Sequence, residues 1–157
     1  MRRLPLRYMR MEITLKLNIH EKFLLAGGVI AGCAALWHLL MIIGGASWYA
    51  FSRAPQYIVE SAEQGTFIAP VGAVAIAVLM FTCTAYSFSG AGIFSKIPLL
   101  KLALPIISLI CLARGLYISP LFFSVSVLGT WNLIASAVWF FVGICFLVGT
   151  INQIRAK

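Results

Sequence analysis

The sequence predicts an all-α membrane protein: a bundle of four transmembrane helices, both ends in the cytoplasm, with a short amphipathic outer helix between helices 1 and 2. Three observations predict it. Apolar residues make up 62% of the chain and charged residues only 10%, whereas soluble domains carry about 25% charged residues. Apolar runs recur near the length of about 20 residues that crosses a hydrocarbon core. Basic residues fall on one side of those runs when the runs alternate in direction. A soluble fold of 157 residues could not hide so much apolar surface, since even large domains bury only about three quarters of what the unfolded chain exposes.

The chain divides into a basic segment 1–22, a membrane domain 23–151 and a short tail 152–157. The first run is Phe23 to about Gly45, the second Phe67 to about Phe88 and the third Pro98 to about Ser119. The uncharged stretch Leu121–Ile151 is too long for one simple span. Its helix is expected at Trp131–Ile151, with Leu121–Thr130 at the interface. Ile30-Ala31-Gly32-Cys33 has the form of a lipoprotein cleavage box. The chain stays apolar through Ile43, where a processed lipoprotein would turn polar, so an uncleaved helix is expected.

Charge sets the expected direction. Arg2, Arg3, Arg7, Arg10, Lys16 and Lys22 precede the first run; Lys96 and Lys101 follow the second; Arg155 and Lys157 end the chain. All lie on one side of four spans, and positive loops stay in the cytoplasm. The other side keeps Arg53, Glu60 and Glu63. The net charge of +8 therefore reads as topology signal and anchor for anionic lipid. It forms no aromatic-bearing basic face of the kind that nucleic-acid binding uses, and no such partner is expected.

Between the first two runs, Pro55–Gln64 reads as a short helix lying on the outer surface. Pro55 suits its first turn and Gly65 the left-handed position after its end. Gln56, Glu60, Glu63 and Gln64 share one face at helical spacing. Trp48, Tyr49, Phe51, Tyr57, Tyr117 and Trp131 map to that same interface, as an aromatic belt does.

Arg114 lies inside the third span, about four residues from its outer end. A basic residue at mid-helix costs roughly 2.5–3.5 kcal/mol on insertion scales and tends to face the bundle interior. Snorkelling to the headgroups is the alternative. Glu60 and Glu63 are the carboxylates on its side and its expected partners. His38, in the outer half of the first span, could relay a proton or hold a ligand; a hydrogen bond to a neighbouring helix is the plainer reading. Arg114, His38, Glu60, Glu63, Trp48, Tyr49 and Asn132 all belong to the outer third, and form the candidate ligand-binding set.

Cys33, Cys83, Cys111 and Cys145 fall one to a span. Their spacing matches no zinc or redox motif, so neither disulfide nor metal is expected. Haem is not expected either, because the two histidines include one, His20, outside the spans. Gly28 and Gly32 form a small-xxx-small motif that lets backbones approach, either within the bundle or toward a second copy or membrane partner. Pro105 should bend the third helix. Ser87, Ser89, Gly90 and Gly92 make a flexible exit from the second, without the strand and lysine of a phosphate-binding loop. No cofactor is expected.

Trp48-Tyr49-Ala50-Phe51, Tyr86-Ser87-Phe88-Ser89-Gly90-Ala91-Gly92, Ile97-Pro98-Leu99-Leu100-Lys101 and Leu112-Ala113-Arg114-Gly115-Leu116 together resemble a family of small bacterial four-helix inner-membrane proteins of unknown function. The resemblance covers most of the chain from helix 1 to helix 3 and leaves out the basic tail. It implies a multi-pass protein of the bacterial inner membrane and supplies no activity or site residue. No nucleophile–base pair is evident, so a non-enzymatic role is expected. The leading one is an outward-facing pocket for a lipid-like or small amphipathic ligand. The alternatives are a structural or accessory subunit of a membrane complex, or a small transporter. The last is weakened by the absence of charge along the inner halves of the helices.

Overall fold

The structure, a computed structural model, describes residues 17–117 and 125–155. Its elements are α1 (Ile19–Gly44), α2 (Ala46–Phe51), α3 (Gln56–Glu63), α4 (Ile68–Gly90), α5 (Leu100–Tyr117) and α6 (Val125–Arg155). No strand occurs among the described residues. By length and composition, three helical segments among the described residues can cross a membrane: Ile19–Gly44, Ile68–Gly90 and Thr130–Ile151. α5 is shorter, at 18 residues, or about 27 Å. Its uncharged stretch, 102–113, lies between Lys101 and Arg114.

α1 starts four residues before the apolar run, because a capping box starts it. Asn18 Oδ1 accepts from the Glu21 N–H at 2.9 Å, and Glu21 Oε2 accepts from the Asn18 N–H at 2.9 Å. This satisfies two backbone donors that the first turn would otherwise leave open. The rest of the basic segment, 1–16, lies outside the described residues. α1 ends at Gly45, whose φ of 68° and ψ of −161° favour glycine. The chain then turns into α2; the first run is expected to end at Gly45, but no helix is expected after it, only interfacial aromatics. α3 falls where expected, with Pro55 at its N-cap and Gly65 at φ +67° after its end. α6 begins at Val125, so 125–130 are helical and continuous with the last span; 121–124 lie outside the described residues.

Packing follows the small and hydroxylated residues. α1 is central, against α4 on one side and α6 on the other, while α5 lies along α6 and touches α4 far less. At the α1–α4 seam Ser87 Oγ donates to Leu24 O at 2.6 Å and Thr84 Oγ1 to Gly28 O at 3.0 Å. A β-carbon on Gly28 would meet Ser87 Cβ at 2.6 Å, and one on Gly32 would meet Thr84. The small-xxx-small face is therefore covered by α4 of the same chain. At the α5–α6 seam Ser108 Oγ donates to Gly143 O at 2.9 Å. A β-carbon on Gly115 would stand 2.7 Å from Phe140 N, and one on Gly143 would stand 2.8 Å from Leu112 N. Gly27 and Gly149 bring α1 against α6, at Cys145 and at Leu24. Such interhelical hydrogen bonds contribute about 0.6 kcal/mol each in membranes; close backbone approach through small residues does the rest.

The main core joins Leu24, Leu100, Leu104, Cys111, Val142 and Phe146. A second cluster, Met41, Tyr49, Ala69 and Ala73, seats α2 against the Gly44 end of α1 and the start of α4. Around both, much apolar surface stays open, as on Leu79 (66% exposed) and Leu109 (68%). Exposure of that extent suits a lipid solvent, where leucine costs nothing on the outside.

Candidate functional site

The seven residues singled out from the sequence do not gather into one pocket among the described residues. Glu60 and Glu63 stand exposed on α3, and Glu60 Oε1 accepts from Gln56 Nε2 at 3.2 Å. α3 packs on α2 and α4, while Arg114 is on α5, which packs on α6 and α4. Arg114 is exposed and has no ion pair or hydrogen bond to a described residue.

Depth separates the set further. Gly115 meets Phe140 and Gly143 meets Leu112, which puts Arg114 level with Phe140 and Phe141. Those two are the midpoint of the span Thr130–Ile151. Arg114 thus sits near the middle of the bundle and not in its outer third. The pairs Leu24–Gly149 and Gly27–Cys145 put the same level at about residue 31 or 32 of α1. His38 lies roughly seven residues, or about 10 Å, farther toward the Gly44 end. The ring of His38 is half-buried, and Nδ1 donates to Ala34 O at 2.8 Å within its own helix.

The aromatic residues do assemble. Trp48, on α2, folds back so that a β-carbon on Gly44 would fall on its indole. It stacks on Trp37 with centroids 5.3 Å apart and planes 29° apart. Phe51 tilts against Trp37 at 6.2 Å and against Trp131 of α6 at 5.3 Å. Trp37 Nε1 donates to Ser52 Oγ at 3.2 Å and fixes the indole. Trp37, Ser47, Trp48 and Phe51 line a shallow depression of about 360 Å³. Asn132, next to Trp131, is half-buried, and its carbonyl accepts from Ser136 Oγ at 2.8 Å. Trp37 was missed from the sequence because it lies within the apolar run. On one continuous helix Trp37 and Trp48 would share a face about 16 Å apart; the break at Gly45 brings the two rings together.

Tyr49 faces the other way, into the second cluster. It is 3% exposed and its hydroxyl has no hydrogen-bond partner among the described residues. Burial pushes that hydroxyl above the ordinary tyrosine pKa, so it stays neutral in the physiological range. The four cysteines are free thiols, and no group of three or more metal-ligating side chains occurs among the described residues.

Comparison with family models, with curated proteins and with solved structures finds no match to this chain. The site is therefore read from its own geometry.

Proposed function

We propose that this protein is a non-enzymatic, four-span protein of the bacterial inner membrane, with both termini cytoplasmic, that holds a lipid-like or small amphipathic molecule at its outer end. The observation that carries the reading is the aromatic depression of Trp37, Trp48 and Phe51. Flat indole faces take an acyl or ring system without demanding a donor pattern, while their N–H edges stay toward polar surroundings. Ser47 supplies a polar atom to its lining; Arg53 is exposed and follows Ser52, which holds Trp37, in the sequence. In this reading the run 98–119 supplies the fourth crossing, of which α5 covers the part from Lys101 to just beyond Arg114, and the Lys96 and Lys101 side shares the cytoplasm with both ends. An accessory subunit is the second reading, favoured by one observation, an Arg114 on α5 that has no partner among the described residues.

Two experiments test the proposal. Single cysteines at positions 60 and 95, in a chain whose own four are replaced by Ala or Ser, report topology through impermeant maleimide. Position 60 should label from outside intact cells and position 95 only after permeabilisation; outside labelling of 95 overturns the four-span arrangement. For the ligand, native mass spectrometry of protein released from mild detergent should find bound lipid-like molecules. Trp48→Ala should lower their occupancy about fivefold, consistent with roughly 1 kcal/mol for a lost aromatic contact, with helical content unchanged. Equal occupancy in the variant, or none in the native protein, removes the ligand reading.

A further inference from the structure

Arg114 poses a problem that the described part of the bundle does not solve. It is exposed, lacks a partner among the described residues, and stands level with the midpoint of the last span. The hydrocarbon core is about 30 Å thick, so each headgroup plane is about 15 Å away. An extended arginine side chain covers roughly half of that distance, so snorkelling alone does not bring the guanidinium to water or phosphate. Around it the outward flank of α5 is apolar: Ile106 is 47% exposed, Ile110 62% and Leu109 68%. Ile106, Ile110 and Arg114 repeat every four residues along one row of the helix. One side of α5 is taken by α6, through Ser108 and Gly115; this row is not.

We infer that this row of α5 docks a transmembrane helix of another protein, one carrying an aspartate or glutamate near mid-membrane to pair with Arg114. Charge complementarity selects the occupant. A guanidinium in hydrocarbon needs a desolvated acceptor, and a carboxylate meets its fork with two parallel hydrogen bonds. The described helices of a second copy place no carboxylate at that level. The chain's four acidic residues are Glu12, Glu21, Glu60 and Glu63. Glu21 is in the first turn of α1, Glu60 and Glu63 are in α3 beyond Gly45, and Glu12 precedes α1. Residues 118–129 carry no carboxylate either. The inference rests on the membrane-spanning reading of the bundle and not on the aromatic ligand site.

The test uses the full chain in phosphatidylcholine vesicles, with flotation to establish membrane insertion independently. Three labelled polyleucine–alanine transmembrane peptides are added, with Glu at the centre, Gln at the centre, or Glu one turn from an end. Association is read by energy transfer from a donor on the protein. The central-Glu peptide should associate at least about tenfold more strongly than either control, the difference expected of a well-made intramembrane polar pair. Arg114→Leu should abolish that preference and Arg114→Lys retain part of it; helical content and flotation should be unchanged in both. Equal association of all three peptides overturns the inference, as does a preference that survives Arg114→Leu. Energy transfer between copies of the protein that depends on Arg114 and excludes the peptide also overturns it, in favour of self-association.

Discussion

Replacing Gly115 by leucine should separate α5 from α6. The β-carbon alone would stand 2.7 Å from Phe140 N and 2.8 Å from Phe140 Cα, which are backbone atoms that no rotamer change can move. The helices would have to part over the segment that also holds the Ser108–Gly143 hydrogen bond. Overpacking of a well-fitted seam costs about 1–3 kcal/mol, and a clash with backbone belongs at the top of that range. Reversible unfolding in mixed detergent micelles should show a loss of about 3 kcal/mol. Gly72→Leu is the control, since a β-carbon there meets nothing within 4 Å; it should change stability by less than about 0.5 kcal/mol. A Gly115→Leu protein as stable as the Gly72 variant would show that the α5–α6 seam is not as close as described here.

Gly28→Leu should do the same to the α1–α4 seam by a different route. The added side chain would displace Ser87, whose hydroxyl donates to Leu24 O at 2.6 Å. Both close packing and a buried hydrogen bond are lost, and a cost of about 3 kcal/mol is expected. Because the obstacle is a side chain, a second substitution can relieve it. The smaller change Gly28→Ala should be destabilising alone, and adding Ser87→Gly should recover part of the loss. A double-mutant cycle measures that recovery. Strict additivity of the two changes would mean that Gly28 and Ser87 do not touch.

The elements were legible to different degrees. α3 was read nearly residue for residue, because Pro55 and Gly65 mark its ends through backbone geometry that is local. The start of α1 was read four residues late. The apolar run begins only at Phe23, whereas the start signal is the polar pair Asn18 and Glu21 before it. The break at Gly45 was legible, but α2 was not, since its six residues have no side-chain cap and are too few to show a helical period. The candidate site was legible only as a list. Counting residues from the end of a presumed span placed Arg114 near the outer interface, yet its depth depends on how α5 slides along α6. That register is set by Gly115 against Phe140 and Gly143 against Leu112.

What the sequence by itself determined is the solvent and the secondary structure. A chain with 62% apolar residues belongs in hydrocarbon, and there each segment must close its own backbone hydrogen bonds, which makes it helical. What only the tertiary structure decided is which faces meet and at what height. In a soluble helix an apolar stripe points to the core. Here α1, α4 and α6 are apolar all round, and lipid is as apolar as leucine, so no stripe separates neighbour from solvent. The choice falls to where glycines and hydroxyls let two backbones close. From that choice come the covered Gly28–Gly32 face, the aromatic depression at the Gly44 end, and the mid-depth position of Arg114.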